Sequence, residues 1–318
     1  MNIQNTVSAE GPAPFTDPAR TAKGETRARV ALSKLETLWF NTGTLCNIEC
    51  LNCYIKSSPT NDDLAYLTVA EVEPYLDEIA ALNLPTQEIG FTGGEPFMNP
   101  DACAMIEAAL VRGFNVLVLT NAMRPMMRPH VREVLSKLIS EYGDKLTLRV
   151  SLDHHQVAEH DRMRGAGSFI KSIEGMRWLR DQDATLAIAA RTIWGETDAE
   201  AREGFAQLFK SEAFDIDASN PGTCVLFPEM DEIAPTPEIT EACWGILNKS
   251  PNDVMCSSSR MVVKRNGAEQ PVVLACTLLA YDAAFEMGRT LAEAQGAVAL
   301  NHPHCSKFCV LGGASCSA

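Results

Sequence analysis

The stretch NTGTLCNIECLNCYIKSSP, residues 41–59, places three cysteines in one short polar loop after an apolar run. Cys46, Cys50 and Cys53 are separated by three and then two residues. Such a set could hold zinc with one ligand missing, form half of a disulfide framework, or bind three irons of a 4Fe-4S cluster. Structural zinc sites close with four ligands, and this loop contains no histidine. A cluster held by three thiolates leaves one iron open to an outside ligand. The spacing therefore favours an iron–sulfur centre over zinc.

The composition narrows the classes of protein to which the chain can belong. Its 318 residues carry a net charge of −14, and no segment has the dense lysine and arginine of a nucleic-acid binder. No apolar run approaches the ~18 residues that cross a bilayer. Residues 1–30 are polar and lack the apolar core of a secretory signal, so we expect a mobile tail there and a cytoplasmic protein that binds neither nucleic acid nor membrane. Eleven cysteines in that compartment favour metal or catalytic roles over disulfides.

From residue 35 onward, short apolar runs alternate with amphipathic segments. The predicted strands are LETLWF (35–40), QEIGF (87–91), NVLVLT (115–120), KLTLRVS (145–151), ATLAIAART (184–192) and FDIDAS (214–219). The predicted helices between them cover residues 68–82, 101–112, 129–142, 168–180 and 198–210. This alternation implies parallel pairing through right-handed crossovers. The sequence thus predicts an α/β fold, a partial (β/α)6 TIM-like barrel, whose working face lies at the carboxyl ends of its strands.

Two further motifs follow predicted strands and therefore fall on that face. FTGGEP, residues 91–96, follows the second strand. Its Gly93 and Gly94 let the backbone approach a ligand closely, and Glu95 can accept hydrogen bonds from a protonated amine. SLDHHQVAEHDRMRGAGSF, residues 151–169, follows the fourth strand. Taken alone, FTGGEP would indicate only a tight strand-to-helix turn.

Together with the cysteine loop, these motifs resemble the signatures of radical S-adenosylmethionine (SAM) enzymes. The resemblance implies that Cys46, Cys50 and Cys53 hold a 4Fe-4S cluster whose fourth iron is chelated by SAM. An electron from the cluster would cleave SAM to a 5′-deoxyadenosyl radical that abstracts a substrate hydrogen. It also implies that Arg164 pairs with the methionine carboxylate of SAM. The residues expected to contact SAM are Gly93, Gly94, Glu95, Pro96, Asn121, Ser151, Asp153, Arg164 and Thr192.

The chain departs from the pattern of this family at two places. His154 stands where glycine is usual, and Asn52 precedes the last cysteine in place of a frequent aromatic residue. His154, His155 and His160 match no metal-ligand spacing. We therefore expect these histidines to face solvent or substrate.

The last third of the chain is rich in proline and contains seven of the eleven cysteines. MVVKRNGAEQPVVLACTL, residues 261–278, is typical of a hairpin with an Asn-Gly turn. This region resembles the auxiliary-cluster extensions called SPASM or twitch domains. The resemblance implies a second, auxiliary 4Fe-4S cluster with the ligands Cys256, Cys276, Cys305 and Cys309, and with Cys316 as the replacement for one of them. A zinc site is the alternative, because His302 and His304 lie close to Cys305.

We therefore expect a mobile tail over residues 1–30, a radical SAM barrel over residues 31–220, and a small cysteine-rich α+β extension over residues 221–318. The expected function is SAM cleavage followed by oxidation or cross-linking of a peptide or small molecule, with help from the auxiliary cluster. Electrons would come from a donor such as flavodoxin or ferredoxin. One alternative is an enzyme of nucleotide-derived cofactor biosynthesis, of the molybdenum-cofactor type. The other is a non-catalytic iron–sulfur electron carrier.

Overall fold

The computed structural model describes residues 13–228 and 235–313. The strands are β1 (Arg29–Val30), β2 (Thr37–Asn41), β3 (Glu88–Thr92), β4 (Asn115–Thr120), β5 (Leu146–Ser151), β6 (Thr185–Arg191), β7 (Cys224–Phe227), β8 (Ser259–Val263), β9 (Val272–Leu274) and β10 (Val298–Ala299). The α-helices are α1 (Val69–Ala81), α2 (Ala102–Val111), α3 (Pro129–Tyr142), α4 (Val157–Arg164), α5 (Ser168–Arg180), α6 (Asp198–Glu212) and α7 (Cys243–Leu247). No helix in the described ranges is long and apolar enough to cross a membrane.

Within these ranges, eight strands form one sheet in the order β7-β6-β5-β4-β3-β2-β8-β9. The pairs from β2 through β7 all run parallel, with helices crossing over between them. The predicted α/β partial barrel is confirmed. Helix α1 begins at a capping box formed by Thr68 and Glu71. Helix α4, between β5 and α5, was not predicted.

Successive side chains of β2 enter two different cores, because neighbouring residues of a strand point to opposite faces. Leu38 and Phe40 pack into the core that contains the helices. Trp39 faces the other way and packs with Met261 of β8. Gly90 of β3 lies against this tryptophan, where a Cβ would be 2.3 Å from the indole ring. Only a glycine fits beside Trp39 at this position.

The sixth parallel strand is β7, and the predicted FDIDAS strand is wrong. Phe214, Ile216 and Ala218 are buried, as the alternation indicated, but they pack into the core from an irregular segment. Asp217 turns the chain there, since its carboxylate accepts the N–H of Ser219 at 2.8 Å. Alternating burial without a hydrogen-bonded neighbour produced the strand-like pattern.

Residues 13–30, predicted as part of a mobile tail, are packed against the C-terminal part of the chain. β1 pairs antiparallel with β10. Arg27 is buried and donates a hydrogen bond to the Glu238 carboxylate at 2.5 Å. Glu238 also accepts the N–H of Phe15 at 2.8 Å. The expectation of a mobile tail is therefore corrected for this segment, and residues 1–12 lie outside the described ranges.

The predicted hairpin forms between β8 and β9, which pair antiparallel. β8 also pairs in parallel with β2, so the hairpin extends the barrel sheet beyond its first strand. The predicted boundary at residue 220 precedes β7, which pairs with β6. That compositional boundary therefore does not coincide with a break in the sheet.

Candidate active site

The cysteine loop, residues 42–58, leaves the carboxyl end of β2 and is closed on itself. The N–H of Cys46 donates to the carbonyl of Ser58 at 3.0 Å. Cys46 is buried, whereas Cys50 and Cys53 are half-buried. All three thiols line one cavity together with residues from the carboxyl ends of the barrel strands. The structure thus brings the three predicted cluster ligands together.

Burial changes the acidity of these thiols. It raises the pKa of Cys46 to about 12 and also raises the pKa of Cys50. Thiols held in their protonated form are poor nucleophiles, because the thiolate is the reactive species. A metal ion or cluster would compensate the thiolate charge and displace the protons. The set therefore suits metal ligation better than nucleophilic catalysis.

The glycine turn, Gly93 and Gly94 after β3, packs directly against the cysteine loop. The N–H of Gly94 donates to the carbonyl of Gly43 at 2.8 Å. A Cβ on Gly94 would lie 2.3 Å from the Leu45 carbonyl oxygen, and one on Gly93 would lie 2.6 Å from that of Gly43. Both glycines also line the cavity. The close approach of two backbone segments requires these glycines and fixes the cysteine loop against β3.

Glu95 is enclosed behind the glycine turn. Its carboxylate accepts the Thr120 hydroxyl at 2.8 Å, the N–H of Asn121 at 2.8 Å and the N–H of Phe97 at 3.3 Å. Burial raises the pKa of Glu95 to about 7 against the opposing effect of these donors. Neither Glu95 nor Pro96 is among the described residues that line the cavity. Glu95 therefore binds Thr120 and Asn121 at the end of β4. Its predicted contact with SAM stays a prediction.

Asn121 follows β4 and Thr192 follows β6, and the two residues differ in their access to the cavity. Asn121 lines the cavity, and its amide nitrogen lies 3.9 Å from the Cys46 sulfur. The N–H of Thr192 donates to the Phe227 carbonyl at 3.0 Å, which ties β6 to β7. Its neighbour Arg191 lines the cavity, whereas Thr192 is not among the described lining residues. Arg191 is thus the better placed of the two for a ligand contact.

Asp153, Arg164 and Arg191 form a buried charge network at the rim of this cavity. Nε and Nη2 of Arg164 each donate to the Asp153 carboxylate at 2.9 Å, and Nε of Arg191 lies 3.6 Å from it. Burial opposes ionisation of Asp153, but the two guanidinium groups outweigh it and hold the pKa of Asp153 below its usual range. Ser151 lines the cavity with them. Asp153 occupies two nitrogens of Arg164, which leaves Nη1 for the predicted SAM carboxylate.

Apolar side chains that were not predicted as site residues form much of the cavity wall. They are Ile48, Tyr54, Ile55, Leu119, Phe227, Leu278 and Phe308. The period-two pattern of β4 could have indicated Leu119. Leu278 and Phe308 carry no such signal, because they reach the cavity from distant parts of the chain.

His154 and His160, expected to face solvent or substrate, are buried. Nδ1 of His154 accepts the N–H of Gln156 at 3.0 Å, so Nε2 carries the ring proton and faces Glu196 at 3.1 Å. His155 stacks on His154, and ligand atoms of His154, His155 and Glu196 lie within 4.8 Å of one another. A metal ion would need the lone pair of His154 Nε2, which the Gln156 hydrogen bond leaves protonated. The geometry therefore favours a close contact between His154 and Glu196 over a metal site.

Four cysteines of the C-terminal region line a second, smaller cavity. Cys256 precedes β8, Cys276 follows β9, and Cys305 and Cys309 lie in a short π-helical segment. Burial raises the pKa of Cys256 to about 11 and that of Cys305 to about 12. The structure thus brings the four predicted auxiliary ligands together. Cys316, their predicted replacement, lies outside the described residues.

The two cysteine cavities meet at one side chain. Leu278 lines both of them. His304 lines the second cavity as well, which keeps zinc as an alternative there. No cysteine within the described ranges forms a disulfide, and Cys103 in α2 lines neither cavity.

Residues 40–203 match the family model described as the radical SAM superfamily. The chain therefore belongs to the radical SAM superfamily, and the predicted family is confirmed. Membership implies a 4Fe-4S cluster and SAM as cofactors. The convergent thiols and the adjoining glycine turn fit these groups.

Curated relatives include a bacteriocin biosynthesis protein and a maturase. The antilisterial bacteriocin subtilosin biosynthesis protein AlbA of Bacillus subtilis is 30% identical over 145 residues, which are 45% of this chain and 30% of AlbA. The mycofactocin maturase MftC of Mycobacterium ulcerans is 28% identical over 146 residues, which are 45% of this chain and 37% of MftC. The chain thus spans about a third of the length of these curated relatives.

The fold is similar to that of a solved peptide complex. The crystal structure of Streptococcus suis SuiB bound to precursor peptide SuiA has a TM-score of 0.60 at 12% identity. The match covers 84% of this chain and 66% of SuiB. At this identity the similarity shows the fold alone, and it agrees with the partial barrel.

Proposed function

We propose that this chain is a radical SAM enzyme that cleaves SAM reductively and modifies a peptide. The observation that carries the proposal is the convergence of Cys46, Cys50 and Cys53 on one cavity with the Asp153–Arg164 pair. When bound, the cluster and SAM supply an electron and the 5′-deoxyadenosyl radical that removes a substrate hydrogen atom.

The chain's own residues hold and orient these groups. The three thiols of the cysteine loop would hold the cluster, and the glycine turn fixes that loop against β3. Nη1 of Arg164 would take the SAM carboxylate, because Nε and Nη2 are used by Asp153. Ser151 and Asn121 line the same cavity and offer polar contacts to the rest of SAM.

The apolar side chains of the cavity wall would also shield the reaction from water. A reactive radical must be sheltered from water and from stray hydrogen donors. Leu119 from β4, Phe227 from β7 and Phe308 from the C-terminal region are among the apolar residues that line the cavity. The barrel and the C-terminal region thus both contribute to shielding the reaction.

A peptide substrate is supported by what the relatives are known to do. AlbA takes part in bacteriocin biosynthesis, and SuiB binds a precursor peptide. A non-catalytic electron carrier would not account for the glycine turn or for Arg164.

The C-terminal cavity supports an auxiliary 4Fe-4S cluster on Cys256, Cys276, Cys305 and Cys309. A centre there would adjoin the active-site cavity through Leu278, which suits transfer of an electron from an oxidised substrate. An external donor such as flavodoxin or ferredoxin would approach the first cluster at the surface of the cysteine loop. Leu51 in that loop is 59% exposed.

The substrate class is tested by hydrogen transfer. Perdeuterated synthetic peptides from small reading frames beside the gene are incubated anaerobically with reconstituted enzyme, SAM and dithionite. We expect deuterium in 5′-deoxyadenosine and loss of one deuterium atom from the peptide. Transfer from a purine nucleotide and from none of the peptides would support the cofactor-biosynthesis alternative instead.

A further inference from the structure

Arg27 and Arg260 are both fully buried, and they differ in their partners. Arg27 pairs with the Glu238 carboxylate at 2.5 Å. Arg260, on β8, donates only to backbone carbonyls, which are those of Cys256 at 2.7 Å, Ser259 at 2.8 Å, Ala294 at 2.8 Å and Gly296 at 3.1 Å. Within the described ranges, no carboxylate forms an ion pair with Arg260.

A buried cation without an anion is costly, because carbonyl dipoles replace its hydration only in part. Burial lowers the pKa of Arg260 to about 10, while the Cys256 and Cys276 thiols act in the opposite direction. An arginine side chain stays protonated in proteins at neutral pH, so Arg260 holds a buried positive charge. Its guanidinium reaches the second cavity through the carbonyl of Cys256, one of the four cysteines that line that cavity.

We propose that Arg260 is the counter-charge of the auxiliary centre and raises its reduction potential. The inference rests on the proposed auxiliary cluster. An oxidised 4Fe-4S core carries two positive charges, so four thiolates leave a dianion, and uptake of one electron gives a trianion. A buried positive charge stabilises the trianion more than the dianion. Arg260 thus favours the reduced state of the centre.

A purely structural role for Arg260 makes a different prediction. Its planar fork joins the turn before β8 to residues 294–296, and its loss would leave buried carbonyls unpaired. Lysine keeps the positive charge but lacks the fork that reaches several carbonyls at once. Glutamine lacks the charge as well. If the charge matters, lysine behaves like arginine, and if only the fork matters, lysine behaves like glutamine.

The experiment uses the full chain with Cys46, Cys50 and Cys53 replaced by alanine, so that only the auxiliary centre can form. This parent and its Arg260→Gln and Arg260→Lys variants are reconstituted anaerobically with iron and sulfide. Dithionite supplies the electron in a potential titration followed by electron paramagnetic resonance. Arg149→Gln, which removes a buried arginine from β5, is the matched control.

We expect Arg260→Gln to lower the ratio of reduced to oxidised cluster at least tenfold at a fixed potential, a shift of about 59 mV for one electron. Arg260→Lys and Arg149→Gln should keep the potential of the parent. An unchanged potential in Arg260→Gln, or the same shift in Arg260→Lys, would overturn the proposal. Arg260→Gln could also fail to hold iron, and the test then rests on Arg260→Lys. If Arg260→Lys keeps its iron and the parent's potential, the counter-charge role is supported. If Arg260→Lys also loses its iron, the proposal is overturned.

Failure of the auxiliary centre itself is distinguishable from these outcomes. A parent that holds no iron, or that holds zinc, would overturn the auxiliary cluster and this inference together. SAM cleavage by the unmutated enzyme tests the rest of the proposed function separately.

Discussion

Asp153 and Arg164 form a two-pronged ion pair at the rim of the active-site cavity, with both nitrogen–oxygen distances at 2.9 Å. The pair joins the loop after β5 to the last residue of α4. Asp153 is only 2% exposed, so its charge depends on the guanidinium beside it. The sequence motif predicts two separate SAM contacts here, whereas the structure makes the two residues one unit.

Replacing Arg164 by alanine should therefore impair both SAM binding and folding. The change leaves Asp153 buried with Arg191 as a more distant partner, and breaking a buried pair typically costs about 3 kcal/mol. Loss of the contact with SAM should cost about 2 kcal/mol of binding free energy. Equilibrium dialysis and urea unfolding measure the two effects. Arg162→Ala is the control, because that side chain is 59% exposed and pairs with Glu159. Equal SAM affinity in the two variants would show that the match of Arg164 to the family motif is out of register.

Gly94→Ala should displace the cysteine loop. The new Cβ would lie 2.3 Å from the Leu45 carbonyl oxygen, which is backbone and cannot rotate away. We expect a lower melting temperature, with a destabilisation of about 1–3 kcal/mol, and reduced iron content after reconstitution. Gly245→Ala, in α7, is the control, since no atom lies within 4 Å of its Cβ position. Normal iron loading and SAM cleavage in Gly94→Ala would contradict a positioning role for the glycine turn.

His160 should make the protein sensitive to acid. Burial lowers its pKa from 6.5 to about 4, so the unfolded chain binds a proton that the folded chain excludes. Stability from this residue is fully present above pH 6.5 and falls as the pH drops towards 4. Between pH 7 and pH 5 the unmutated protein should therefore lose about 2 kcal/mol of unfolding free energy that His160→Leu keeps. Urea midpoints of anaerobic protein at the two pH values measure this difference. His130→Leu, at an exposed position of α3, should leave the pH dependence in place.

Iron content should distinguish one cluster from two. If Cys256, Cys276, Cys305 and Cys309 hold a second 4Fe-4S cluster, reconstituted protein should contain about eight irons per chain. The variant without Cys46, Cys50 and Cys53 should keep about four. Metal analysis of protein purified without air measures both values. Zinc in place of half the iron would identify the C-terminal region as a structural zinc site.

The barrel strands could be predicted because their apolar runs are local signals. β2 to β6 all lie within or beside the predicted segments. The FDIDAS segment could not be separated from a strand by its sequence, because Phe214 and Ile216 alternate in burial without pairing to a neighbour. The packing of residues 13–30 was also hidden, since Arg27 finds its partner Glu238 211 positions along the chain.

The features of the candidate site also fall into those with a local sequence signal and those that depend on distant residues. The spacing of Cys46, Cys50 and Cys53 is local, and it predicted the set that lines the cavity. The enclosure of Glu95 depends on Thr120, 25 positions away, so the motif could not show that the carboxylate supports β4. Leu278 joins the cavity only because the hairpin continues the barrel sheet, a relationship that no local pattern contains.

We propose that the cysteine loop supports reductive cleavage of SAM. The measurement is formation of 5′-deoxyadenosine by anaerobically reconstituted protein with SAM and dithionite. We expect the unmutated chain and Cys103→Ala, whose thiol lines neither cavity, to form it at similar rates. The variant in which Cys46, Cys50 and Cys53 are alanine should form none. Cleavage by that triple variant at the rate of the unmutated chain would contradict the assignment of this site.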